Sequence, residues 1–258
     1  MNRLITIAIS HYCEKARWAL DWLKVPYVEE SHAPIFHRLT TRRLGGKSVP
    51  VLVTESGVFT DSKDILHHID AISPTERRLY PTDSQLRQEV EQLEELFDTK
   101  LGVHIRQWAY YYRIDDRTAL QQMWNKGATQ LEQVGVKVAF PLMRQIVQRA
   151  YDVSASSAAS SLTEVRQIFD LVSQLRQRDR SYLVGDNFTA ADLTFAALAA
   201  PVLRPKQHPI QLAQVGKPNE EMAAVIQELR QTKAGKFALR LYKEQRYATN
   251  SQPIVESA

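Results

Sequence analysis

Apolar residues open the chain as an unbroken run. Leu4-Ile5-Thr6-Ile7-Ala8-Ile9 is largely β-branched and free of Gly and Pro, which predicts a buried strand. The period then changes. Cys13, Ala16, Leu20 and Leu23 recur at steps of three and four, one face of a helix, while Glu14, Lys15 and Asp21 fall toward the other side. Arg17 and Asp21 have the spacing of a helical ion pair. Ser10 stands at the joint, where Ser is a preferred N-cap. Free N–H groups and the positive end of the helix dipole also favour an anion there. Two roles are open to Ser10: an ordinary cap, or a hydroxyl that donates to a bound thiolate and lowers its pKa.

Short elements follow. Pro26–Glu30 predicts a second strand, and the basic segment His37–Leu44 a short helix ended by Gly45-Gly46. In Lys47-Ser48-Val49-Pro50-Val51-Leu52-Val53-Thr54 the proline opens an apolar, β-branched run. That position predicts a special turn, of which a cis bond is one form. Glu55-Ser56-Gly57 reads as a hairpin turn into Val58-Phe59-Thr60. Asp61-Ser62 then caps a helix carrying Ile65, Leu66 and Ile69, a second helix start offered to a ligand carboxylate.

Ile72 to Thr82 holds two prolines and little periodicity, so the chain divides into domains at residues 1–73 and 83–258, with 74–82 as linker. Asp83-Ser84 caps a long helix whose stripe of Leu86, Val90, Leu93, Phe97 and Leu101 continues through His104 and Trp108 to Tyr111. The aromatic cluster Trp108 to Tyr112 reads either as core or as the wall of an apolar site. Asp115 to Tyr151 is helical in composition, with a bend or break expected at Pro141. Ser154–Ser161 reads as a small-residue loop or a frayed joint, Val165–Leu175 as helix, and Arg176–Arg180 as a basic turn. Thr189 and Asp192 form a capping box with Phe188 as staple. They open a helix whose Ala196, Ala197, Ala199 and Ala200 permit close packing. Helices near Asn219–Thr232 and Ala234–Tyr247 complete an all-α second half.

Composition narrows the functional classes. The 258 residues are 44% hydrophobic and 24% charged, with 33 basic and 29 acidic side chains giving a net charge of +4. So mild an excess, spread along the chain, reads as a mixed solvated surface, with no nucleic acid or membrane as partner. No apolar run approaches the ~18 residues of a membrane span, and no signal-peptide pattern follows Met1-Asn2-Arg3. A single cysteine, Cys13, rules out an intrachain disulfide and a Cys-only zinc site. A reducing, cytoplasmic setting and no metal are the expectations.

The order strand, helix, strand, helix, strand, strand, helix resembles the thioredoxin-like domain of the glutathione S-transferase superfamily. The resemblance rests on Ser10 through Arg17, Ser48-Val49-Pro50-Val51-Leu52 and Asp61-Ser62. The Thr189–Asp192 box is similar to the helix start of that family's second domain. The fold implied is an α/β thioredoxin-like N-terminal domain followed by an all-α helical C-terminal domain.

The resemblance also implies a chemistry. Glutathione would be the co-substrate, with Ser10 at the position that contacts its sulfur. The Val49 backbone, ahead of Pro50, would pair with the cysteinyl part. Asp61 and Ser62 would hold the γ-glutamyl end, and Lys47 the glycyl carboxylate. A small apolar electrophile would dock against His11, Trp108 and Tyr111, and the family habit is a homodimer engaged in detoxification. There are departures: Arg42-Arg43-Leu44-Gly45-Gly46 stands where the family often has Asn-Pro, and Asp61 stands where Glu is commoner. Two other readings stay open. One is a non-catalytic binding or regulatory protein on the same fold. The other is thiol–disulfide exchange through Cys13, which occupies the second position of a Cys-x-x-Cys pair but lies on an apolar face.

Overall fold

The computed structural model describes residues 1–176, 180–210 and 216–247. Four short strands come from the first sixty residues: β1 (Asn2–Thr6), β2 (Tyr27–Ser31), β3 (Val51–Thr54) and β4 (Gly57–Phe59). They form one sheet in the order β2-β1-β3-β4. β1 runs parallel to β2, with Leu4 opposite Glu29, and antiparallel to β3, with Leu4 opposite Leu52. A parallel pair needs a crossover, and α1 (His11–Trp22) supplies it. The other helices of this unit are α2 (His37–Arg43) and α3 (Ser62–Ala71). β1 ends before the apolar run does because β2 ends at Ser31. The His32 N–H bonds the Thr6 carbonyl at 2.9 Å, and Ser10 N–H bonds the Ile7 carbonyl at 2.9 Å, so Ile7 to Ile9 form the turn into α1.

Helices make up the remainder. α4 (Ser84–Leu96), a π-helical turn (Phe97–Leu101) and α5 (Gly102–Tyr111) follow one another without a break. They are followed by α6 (Arg117–Asn125), α7 (Gln130–Ala150), α8 (Ala155–Leu175), α9 (Ala190–Leu203), α10 (Glu220–Gln231) and α11 (Lys233–Glu244). Two expectations are corrected. α7 runs through Pro141, which sits on its exposed face. The division lies earlier, at Gly127 with φ +71° and at the Thr129–Glu132 capping box. Ser154–Ser161 is not a loop but the start of α8. Ser154 and Ser157 cap each other's N–H groups at 3.0–3.1 Å, and the Ser160 hydroxyl bonds back to the Ser156 carbonyl. The expected basic turn at 176–180 lies largely outside the described residues.

One apolar core joins the sheet unit to the helices. α9, with Asp192 accepting from Leu183 N–H (2.8 Å) and Thr189 N–H (2.9 Å), is buried along nearly its whole length and packs on α1. Trp18 of α1 meets Tyr242 of α11 at a ring distance of 4.6 Å. A smaller cluster, around Trp124, Val136 and Phe140, packs α6 and α7 against Ala33 and Phe36 of the first unit. There the His32 ring lies between Glu30 (2.9 Å) and Glu132 (2.7 Å).

α1 is buried on every face, including the one whose charges predict exposure. Glu14 and Lys15 have no exposed surface, and Arg17 has 3%. Each is neutralised from elsewhere. Lys15 Nζ contacts Glu94 at 2.9 Å and Asp98 at 2.6 Å. Glu14 accepts from Arg246 at 2.7 Å, and Arg246 also reaches Asp21 at 2.7 Å. Arg17 turns to Glu29 at 2.7 Å rather than serving as the expected partner of Asp21. Burial works against the Lys15 charge, but Glu94 and Asp98 outweigh it and hold its pKa above the usual lysine value. Removing one partner of a buried cluster strands the others. Lys15→Met is therefore expected to cost about 3–5 kcal/mol in urea unfolding, and adding Glu94→Gln to restore part of it.

His11 opens α1 at 5% exposure, with Nε2 3.0 Å from the Gly102 carbonyl. A carbonyl only accepts, so that nitrogen carries the proton of a neutral ring. Burial, then the Arg106 charge, push the pKa down to about 3. A depressed histidine contributes stability above its unfolded value near 6.5 and loses it as pH falls toward its folded value. His11→Gln keeps an N–H donor without a proton to take up. Its stability relative to the parent should rise as pH drops from 6.5 to 4.5, by up to about 1.4 kcal/mol per unit, read from denaturant midpoints.

Candidate functional site

A cleft of about 500 Å³ opens between the sheet unit and the helices. One wall is Ser48, Val49, Pro50, Thr60, Asp61, Ser62 and Lys63; the other is Tyr12, Glu95, Asp98, Thr99, Val103 and Arg106. Local chemistry builds the first wall. The Val49–Pro50 bond is cis, and the proline leads directly into β3. Asp61 caps α3 by accepting from Lys63 N–H at 2.8 Å, leaving Ser62, 3% exposed, in its first turn. The start of α3, the positive end of its dipole, thus borders the cleft.

The second wall is positioned by contacts with the start of α1. The Tyr12 hydroxyl donates to the Asp98 carbonyl at 2.6 Å, and His11 bonds the next turn at Gly102. Gly102 is where α5 closes on α1: a methyl group there would overlap the Tyr12 phenol. Most charges here are matched. Lys15 holds Asp98, whose pKa burial nevertheless pushes up to about 6, and Lys63 meets Glu95 at 3.0 Å. Arg106 is different. Its guanidinium lies over the Tyr151 ring at 4.3 Å and near the Tyr12 ring at 5.8 Å, and no carboxylate pairs with it among the described residues.

The residues predicted from sequence are placed unevenly. Val49, Pro50, Asp61 and Ser62 come together on one wall. Lys47 is exposed and does not line the cleft. Ser10 is half-buried and caps α1, its Oγ accepting from Cys13 N–H at 3.4 Å. It is not a lining residue, but it lies between Tyr12, which borders the cleft, and Ile9, which borders an apolar cavity of about 70 Å³ with Ala109, Met123 and Met222. The three residues expected to receive an electrophile are elsewhere. His11 is buried under α5, Trp108 is 1% exposed in the main core, and Tyr111 packs on the smaller cluster. The helix explains this: at 100° per residue Trp108 is about 200° round from Arg106, so both cannot face the cleft. Thr99, Val103 and Arg106, at steps of four and three, form the facing row. The apolar stripe through Leu101 and Trp108 marks the opposite, core-facing side of the helix.

Cys13 has no exposed surface, and burial pushes its thiol up to about 11. No group of His, Cys, Asp and Glu able to hold a metal occurs among the described residues, and none of the described helices is long and apolar enough to cross a membrane. A larger groove of about 660 Å³ beside the linker, between Arg77–Asp83 and Gly185–Thr189, gathers none of the predicted site residues.

The N-terminal-domain model of glutathione S-transferases matches residues 4–77, and the C-terminal-domain model matches residues 134–221. A search of curated proteins gives no match. Among solved structures, a glutathione S-transferase from Rhodospirillum rubrum superposes with a TM-score of 0.57 at 18% identity, covering 100% of this chain and 96% of its own. A beta-etherase from Sphingobium has a TM-score of 0.57 at 17% identity, covering 93% and 98%. A glutathione S-transferase from Methylobacterium radiotolerans, in complex with glutathione sulfonate, has a TM-score of 0.55 at 18% identity, covering 100% and 99%. With both domain models matched in order along one chain, and the sheet and helices arranged as they require, the protein belongs to the glutathione S-transferase superfamily.

Proposed function

We propose that the protein is a glutathione transferase. The observation that carries this reading is the single wall on which Val49, Pro50 and the Asp61-capped start of α3 meet. The Val49 backbone offers a donor and an acceptor to a peptide-like ligand. Ser62 and the helix start offer donors to an α-carboxylate, and Asp61 accepts from an α-ammonium. That set matches glutathione, which is bound in solved family members from Methylobacillus flagellatus and, as the sulfonate, Methylobacterium radiotolerans.

Ser10, at the start of α1, is the proposed donor to the glutathione sulfur. Hydrogen bonding and the positive helix end favour the thiolate. The thiolate then attacks a small electrophile, with rate gained from thiolate stabilisation and proximity. Lys47, outside the cleft lining, is proposed only as a contact for the outer, glycyl carboxylate. Association as a homodimer and a cytoplasmic role in detoxification are proposals carried by the family.

A second reading, a glutathione-binding protein without catalysis, draws on one observation: Ser10 is not a lining residue of the cleft. Titration separates the two. Thiolate absorbance of bound glutathione should appear at lower pH than in free solution. Ser10→Ala should move it back upward and lower kcat/KM for a generic aromatic electrophile by about a hundredfold. A bound thiol titrating as in water, with no turnover, would leave binding alone.

Thiol exchange through Cys13 is disfavoured by its burial. Cys13→Ala should accordingly change kcat/KM by less than about twofold while costing some core packing, checked by turnover beside a thermal melt.

A further inference from the structure

The cleft contains two charges that the fold itself does not pair, one on each wall. Lys15 takes Asp98, and Lys63 takes Glu95. What remains is Asp61 on the α3 wall and Arg106 on the α5 wall. Asp61 has the role already proposed, accepting from an ammonium. Arg106 has none. Its guanidinium is half-buried between the Tyr12 and Tyr151 rings, with no carboxylate within ion-pair distance among the described residues.

That arrangement suits an anion receptor. Two tyrosine faces hold the guanidinium and restrict its motion, while its donor edges stay unspent on protein carboxylates. A cation in this state has lost part of its hydration without regaining a partner, so an arriving carboxylate meets a charged, preorganised fork. The site also has an address. Arg106 is one helical turn along α5 from Gly102, whose carbonyl binds the His11 ring, directly after Ser10 in the chain. Its charge is felt there, being the second cause that depresses His11. Beside it on this wall lie Thr99, Val103 and the two carboxylates Glu95 and Asp98, each already paired with a lysine, so the wall is polar rather than an apolar pocket and Arg106 is its one charge without an ion-pair partner among the described residues.

We propose that Arg106 selects the second substrate: an electrophile bearing a carboxylate, bound by the guanidinium with its reactive carbon toward the residue-10 end of α1. This rests on the transferase reading and sharpens it. The step it implies is substitution or addition by sulfur. For an aryl halide, the glutathione thiolate forms a carbon–sulfur bond, halide leaves with the bonding pair, and nothing is oxidised or reduced.

Chloronitrobenzoate and its carboxamide are matched probes, alike in shape and differing in charge. Direct binding is measured first, by calorimetry without glutathione. The parent protein should bind the carboxylate about tenfold or more tightly than the amide. Arg106→Gln should erase the preference, and Arg106→Lys, which keeps the charge, should retain part of it. Turnover with glutathione should show the same fall in the carboxylate-to-amide ratio of kcat/KM. Equal binding of the two probes by the parent protein overturns the proposal. So does a ratio untouched by Arg106→Gln, or a raised pKa of bound glutathione in that variant, which would assign Arg106 to the sulfur instead. Selective binding without any turnover would sink the transferase reading and leave the anion site standing.

Discussion

The structure depends on a helix that has no water-facing side. α1 carries Glu14, Lys15, Arg17 and Asp21 within eight residues, and it is enclosed between the sheet and the helical bundle. Buried charges are tolerated only where they are matched and hydrogen-bonded. Here the matching groups come mostly from the other side of the joint: Glu94 and Asp98 for Lys15, Arg246 for Glu14 and Asp21. Apolar packing of Trp18, Leu20 and Ala16 supplies adhesion, but adhesion has no direction. The ion pairs add one. They fix the rotation and axial position of α1 against α4 and α11, and so the place of Ser10 at its tip.

Much of this was legible in the sequence, and the parts that were not share a cause. The succession of strands and helices along the first seventy residues, the Val49–Pro50 turn and the Asp61 and Thr189 caps are local patterns, each decided by a few neighbouring residues. They read correctly. The burial of the polar side of α1 is not a local pattern, because its partners lie far away in the chain: Glu94 and Asp98 some eighty residues on, and Arg246 more than two hundred. The serine-rich stretch after Ser154 suggests a loop or frayed joint because serine favours turns. Its hydroxyls instead bond back to the helix they belong to. Pro141 looked like a break, but Gly127 and the Thr129–Glu132 box had already provided one.

The same contrast runs through the site. The α3 wall is made of residues adjacent in sequence and was recognisable as a set. The α5 wall depends on which way a helix is turned, and the π-helical turn at Phe97–Leu101 sits immediately before it. An apolar stripe announces the core side of such a helix, not the side that meets a ligand. Trp108 was conspicuous and lies in the core; Arg106 was one charged residue among many and lies in the cleft. Asp98 links the buried ion-pair cluster to the cleft, since its carboxylate belongs to the Lys15 cluster and its backbone carbonyl to Tyr12 at the cleft.

The span from Glu14 to Arg246, 232 residues, has a consequence for synthesis. A ribosome delivers the sheet and α1 early, then makes the rest of the chain before the guanidinium that neutralises Glu14 emerges. Through that interval Glu14 has only Arg17, 3.6 Å away in its own helix, as a cationic neighbour, and the surface that α9 and α11 will cover lacks its second cation. The ion-pair set around α1 is therefore complete only once nearly the whole chain has been made.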